Sequence, residues 1–137
     1  MRTVTVRRFI SEKPRVIDQL LDPPTIIEFE GSFEVFDIRQ TNDEWWLEVG
    51  STGLRMTLRF ESLSHGYYYS QESGENQPLE LMETELTYRP LNEGTEIVAS
   101  SSVSMGMHPK IITDRIAAWK RKGELRRALV EIDHKVG

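Results

Sequence analysis

The chain closes on PKIITDRIAAWKRKGELRRALVEIDHKVG, from Pro109 to Gly137, where apolar side chains recur at the spacing of an α-helix. Almost everything before it alternates apolar and polar residues in short runs, the period of half-buried strands. One helix of about seven turns is therefore predicted to lie on one antiparallel sheet, because neither element can bury its apolar face alone. A long helix over a curved sheet suggests an interior that can hold something.

Thr3 to Ile10 places Val4 and Val6 among polar neighbours and reads as a first strand. Ser11 stands where an N-cap would, Pro14 sits just inside a helix start, and Val16, Ile17, Leu20 and Leu21 follow with helical spacing before Asp22-Pro23-Pro24 ends the run. A second helical turn spans Ile26 to Glu30 and stops at Gly31. From Ser32 the period changes to two. Strands are expected over Phe33 to Thr41, Glu44 to Gly50, Leu54 to Ser62 and Tyr67 to Glu72, with turn residues at Asn42-Asp43, Ser51-Thr52-Gly53 and Ser64-His65-Gly66. A polar loop from Ser73 to Pro78 precedes strands over Leu79 to Arg89 and Thr95 to Met105, joined through Pro90 to Gly94. The predicted order is βααββββββα, an α+β class with a seven-stranded antiparallel sheet in a single domain, 1–137.

Alternation predicts which side chains point inward. Met56, Leu58 and Phe60 share a phase against Arg55, Thr57 and Arg59, and Met82, Thr84 and Leu86 do so against Glu83 and Glu85. Ala99, Ser101 and Val103 continue the inner set, Tyr69 joins it from the preceding strand, and Trp45 shares the phase of Leu47 and Val49, leaving Trp46 outward. On the last helix Ile112, Ile116, Trp119, Gly123 and Val130 fall within an arc of about 60°. They are taken as its inward side, with Ile111, Ala118, Leu125 and Leu129 as a second apolar sector nearby. Gly123 marks a kink, a close approach or a cavity.

Composition bounds the chemistry. With 38% hydrophobic and 28% charged residues in 137, the chain reads as a soluble globular domain with a core of its own. No apolar run reaches the ~18 residues of a membrane span and the start lacks a signal-peptide core, so a cytoplasmic protein without stable membrane insertion is expected. The absence of cysteine removes disulfides, thiol nucleophiles and thiolate metal sites. A net charge of −5 argues against a nucleic-acid partner, and Lys120, Arg121, Lys122, Arg126 and Arg127 read as solvated charges pairing with Glu124 and Glu131. His65, His108 and His134 have no ligand-like spacing, so neither a metal nor a cofactor is expected.

The element order resembles the START/polyketide-cyclase (SRPBCC) superfamily over essentially the whole chain. The resemblance rests on TVTVRRFISEKPRVIDQLLDP, GSFEVFDIRQTND, MTLRFESLSHGYYY and METELTYRPLNEGTEIVASSSVSM ahead of the terminal helix. It implies the helix-grip fold, a curved sheet wrapped around the C-terminal helix, with a hydrophobic cavity between them that takes lipids, polyketides or other apolar molecules. The superfamily has no universal catalytic motif, so the resemblance implies a location and no catalytic set.

The cavity residues expected on this basis are the inner set: Trp45, Met56, Leu58, Phe60, Tyr69, Met82, Thr84, Leu86, Ala99, Ser101, Val103, Ile112, Ile116 and Trp119. The hydroxyls of Tyr69, Thr84 and Ser101 need hydrogen-bonding partners, which are either neighbouring protein groups or a ligand. Glu28 and Glu30 are either exposed helix carboxylates or proton-transfer groups at a cavity rim. Binding of a hydrophobic small molecule or lipid is the leading expectation. A cyclase or dehydratase using the same cavity is the alternative, and a partner-binding module using Trp46 and the basic end of the helix comes third.

Overall fold

The computed structural model describes residues 1–72, 81–105 and 109–137, except for the side chains at 110 and 111. The elements are β1 (Arg2–Ile10), α1 (Pro14–Leu20), α2 (Pro23–Glu30), β2 (Glu34–Gln40), β3 (Glu44–Ser51), β4 (Leu54–Leu63), β5 (Gly66–Gln71), β6 (Leu81–Leu91), β7 (Gly94–Ser104) and α3 (Lys110–Val136). All pairings are antiparallel and the strands lie in the order β1-β7-β6-β5-β4-β3-β2, so β1 and β2 form the two edges. The predicted βααββββββα order and α+β class match this architecture. The expected loop from Ser73 to Pro78 lies outside the described residues, as do Met107 and His108.

Three local expectations are corrected. Ser11 does not cap α1, which begins after Lys13 without a side-chain cap and uses the fixed backbone of Pro14 in its first turn. Asp22 does not merely end a helix: its side chain accepts the Thr25 N–H at 2.9 Å and starts α2 at Pro23, three residues earlier than the apolar pattern implied. The link between β6 and β7 is also tighter than expected. Pro90 and Leu91 stay in the ladder opposite Thr95 and Gly94, leaving Asn92 and Glu93, both at positive φ, as a two-residue hairpin turn.

α1 and α2 fasten to the inner side of the sheet through phenols. Tyr88 donates to the Asp18 carboxylate on α1, and Tyr67 donates to the Leu21 carbonyl at 3.4 Å. Gly31 closes α2 in the left-handed conformation at φ 83°, and a Cβ there would stand 2.6 Å from the Arg127 guanidinium, which donates to the Glu30 carbonyl at 2.7 Å. The end of α2 is thereby held against α3. The core combines Ile17, Ile26 and Ile27 from the short helices with Leu47, Leu58, Phe60, Leu86 and Ile97 from the sheet. No helix of the described residues is long and apolar enough to cross a membrane.

α3 meets the sheet with the face opposite to the one expected. Ala118, Leu125, Ala128, Leu129 and Ile132 are buried, together with Asp114, Arg121 and Glu124. At about 100° per residue, positions 114, 118, 121, 125, 128 and 132 form one stripe, roughly 180° from Ile112 and Gly123. Ile112, Ile116 and Trp119 are therefore not inward: they are 58%, 61% and 79% exposed. The physical reason is that Asp114 and Arg121 occupy the inward stripe, with Glu124 at its edge, and all three find hydrogen-bonding partners there, so apolarity alone marks the wrong side. The second apolar sector, with Ala118, Leu125 and Leu129, is the one that packs.

Candidate functional site

Strand register places three hydroxyls side by side on the inner face. Tyr69 on β5 pairs with Thr84 on β6, which pairs with Ser101 on β7. The Thr84 and Ser101 hydroxyls are 2.8 Å apart, and Ser101 also donates to the Glu83 carbonyl at 3.0 Å. Tyr69 is fully buried with its ring stacked on Phe60 at 4.3 Å, and its hydroxyl donates to the Glu30 carboxylate at the end of α2.

Above this row α3 delivers Arg121, which is 5% exposed. Its Nε donates to Ser101 at 3.1 Å; Nη1 donates to Glu30 Oε1 at 2.5 Å and Glu124 Oε1 at 3.1 Å; Nη2 reaches Thr84 at 2.8 Å and Tyr69 at 3.0 Å. Nη2 also lies 3.3 Å from Glu30 Oε2, so the five N–H donors of the guanidinium face six acceptor contacts and none is left over. Burial by itself lowers the Arg121 pKa, but the opposing Glu30, Tyr69 and Glu124 leave it well above its ordinary value. Burial, followed by the Glu30 charge, pushes the Tyr69 phenol well above its usual range. The cluster is a fixed cation, a neutral phenol and two carboxylates under the helix. A bare buried charge would cost several kcal/mol, about what such a closed network is needed to offset.

A cavity of about 200 Å³ opens beside this network. Phe33, Leu54, Met56, Val103, Met105 and Ala117 supply apolar walls, Ile116 and Lys120 border it, and Arg121 and Glu124 form its polar floor. The volume is below the roughly 300–1,000 Å³ of drug-sized pockets, which suits a small molecule better than a long acyl chain. Glu124 takes its Arg121 hydrogen bond on Oε1, and among the described residues Oε2 has no protein partner. Arg121 has no free donor to offer a ligand. The acceptor on the floor is therefore the Glu124 carboxylate. Among the described residues no cluster of three or more His, Asp or Glu is placed to hold a metal ion.

Of the residues expected to line a cavity, Met56, Val103 and Ile116 border this one, with Ile116 at its outer edge. Tyr69, Thr84 and Ser101 belong to the Arg121 network, which supplies their hydrogen-bonding partners from the protein itself. Leu58, Phe60, Met82, Leu86 and Ala99 are buried in the core, and Trp45 is half-buried against it. Ile112 and Trp119 lie outside the cavity lining and on the exposed side of α3. Arg121 is not the solvated charge expected, and Glu30 is buried where Glu28 alone is exposed. Phe33, Leu54, Met105, Ala117 and Glu124 line the cavity beyond the expected set. The one sequence signal for the polar members is their 3- and 4-residue spacing with Ala118 and Leu125 on α3, which an apolar count passes over.

No family model matches the chain, and no curated protein matches it in sequence. Solved structures do match its fold. TTHA0849 from Thermus thermophilus superposes with a TM-score of 0.76 at 12% identity, covering 98% of this chain and 97% of that one. A START superfamily protein from Mycobacterium smegmatis matches with a TM-score of 0.67 at 12% identity over 98% of this chain and 96% of its own. The di-domain ARO/CYC BexL from the BE-7585A biosynthetic pathway matches with a TM-score of 0.75 at 12% identity, and this chain spans 50% of it. The chain has the START-like helix-grip fold that its element order predicts.

Proposed function

We propose that this protein binds a small, largely apolar molecule carrying a hydroxyl or amine, held in the cavity between β4, β7 and α3 with its polar end on Glu124. The observation that carries this is the combination of apolar walls with one open carboxylate oxygen on the floor. Apolar burial supplies most of the affinity and the single acceptor sets orientation. A ligand that presents a carboxylate is disfavoured, because the floor offers it no donor and a like charge.

Native mass spectrometry of protein isolated from its own host tests occupancy, and displacement of an environment-sensitive apolar dye measures affinity. Val103→Phe fills the cavity from the sheet, and Ala117→Phe does so from the half-buried rim if the first variant overpacks the core. Dye affinity is expected to fall about tenfold or more in either folded variant. Unchanged affinity in both would refute the proposal.

A second reading is favoured by the same oxygen. A carboxylate in an apolar cavity can take a proton from a carbon next to a carbonyl, as a cyclase or dehydratase requires. Glu124→Gln would then abolish turnover of a poly-keto thioester while keeping its binding. Absence of product with the unaltered protein leaves the carrier reading.

A further inference from the structure

The outward stripe of α3 is unlike the rest of the surface. Ile112, Ile116 and Trp119 stand in one row, and Val130 continues it at 42% exposed. At about 100° per residue, Arg115, Lys122 and Arg126 flank the row on one side and Lys120 and Arg127 on the other. Residues 112–127 contain two acids, Asp114 and Glu124, and both are buried. Every exposed charge on this stretch is therefore positive, on a chain whose net charge is −5. Arg115, Lys120, Lys122 and Arg126 make no ion pair among the described residues.

We infer that this face of α3 docks on the surface of an anionic lipid bilayer, with Ile112, Ile116 and Trp119 entering the headgroup region and the flanking cations meeting lipid phosphates. Apolar residues with an aromatic in the row and Lys/Arg on both flanks are the combination that holds a helix in a membrane interface. A nucleic acid would satisfy the cations and leave the isoleucines without apolar contacts. A second copy meeting the same face about a two-fold axis would bring cation against cation. Ile116 and Lys120 border both the stripe and the cavity, so docking brings the cavity mouth to the lipid. The inference stands on the exposed stripe and does not require the cavity to hold a ligand.

The full chain is mixed with phosphatidylcholine vesicles, with or without phosphatidylglycerol, and binding is read by co-flotation and tryptophan emission. Retention is expected on the anionic vesicles, weakening with salt and by roughly fivefold for each of Arg115→Glu and Lys122→Glu. Trp119→Ser is expected to reduce it about tenfold or more, while Trp119→Phe keeps binding and loses the blue shift of emission. These side chains are at or near the surface, so the variants keep the circular dichroism of the parent. Three results would each overturn the inference: equal retention with and without phosphatidylglycerol, no effect of Trp119→Ser, or no retention at all. Displacement of vesicles by short duplex or single-stranded nucleic acid, or a dimer in light scattering that Trp119→Ser dissociates, would assign the face to those occupants instead.

Discussion

Arg121 and Glu30 lie 91 positions apart in sequence and meet at 2.5 Å beneath the terminal helix, each nearly sealed from solvent. Two arginines from α3 grip the end of α2, Arg121 through the Glu30 carboxylate and Arg127 through its carbonyl. The carbonyl contact also places a cation at a helix C-terminus, where the backbone dipole favours it. The pair is thus the clasp between the two helices, and its Arg121 end forms part of the cavity floor.

Breaking that pair from one side leaves a buried charge without its partner. Arg121→Met and Glu30→Met are each expected to cost about 3–5 kcal/mol in denaturant unfolding, and the double variant less than the sum. A coupling energy near zero across the cycle would show that the two contribute independently. Arg121→Lys keeps the charge and loses the planar fork, so it is expected to fall between wild type and Arg121→Met.

All four tyrosines, Tyr67, Tyr68, Tyr69 and Tyr88, have folded-state pKa values raised above 10.0, chiefly through burial. A raised pKa means that the native state keeps its proton when the unfolded chain has lost it. The stabilisation is therefore complete below pH 10 and is lost as pH climbs through the folded values. Tyrosinate absorbance should rise late and together with the loss of circular dichroism. Ionisation of all four near pH 10 in a still folded chain would contradict the placement of Tyr69 and Tyr88.

Asp114 behaves in the opposite sense at the acid end. The N-terminal ammonium at 2.6 Å and the Met105 N–H hold its carboxyl below the ordinary value of 3.8. Its contribution is present above that value and disappears as pH falls toward the lowered one. Asp114→Asn should flatten this part of the acid unfolding curve and leave the alkaline limb unchanged.

The strands were legible because their code is local. Turn residues and strict alternation set the phase of β4, β6 and β7, and Met56, Thr84 and Ser101 point where the pattern sends them. α3 was legible as a helix and misread in rotation. Hydropathy favours turning Trp119 inward and Arg121 outward; the reverse holds because Glu30, Tyr69, Thr84 and Ser101 already wait on the inner face with acceptors for a guanidinium. That complementarity joins α3 to four other elements, and no window along one of them contains it. Glu124 was hidden for the same reason, since its place on the cavity floor follows from the rotation that Arg121 imposes.

Gly123 separates the two rotations experimentally. Had it faced the sheet, a methyl group there would have met packed atoms or filled a void; in the structure an added Cβ has nothing within 4 Å. Gly123→Ala is therefore expected to stabilise the protein by about 1 kcal/mol, through helix propensity alone and without changing cavity binding. Gly66 is the contrasting control. It sits at φ 144° after the β4–β5 turn, and a Cβ would fall 2.0 Å from the Leu86 carbonyl oxygen, so Gly66→Ala must displace β5 from β6. That variant is expected to lose more than about 2 kcal/mol. A thermal scan that finds Gly123→Ala destabilising would reject the outward face of α3, and with it the docking stripe that Ile112, Ile116 and Trp119 form.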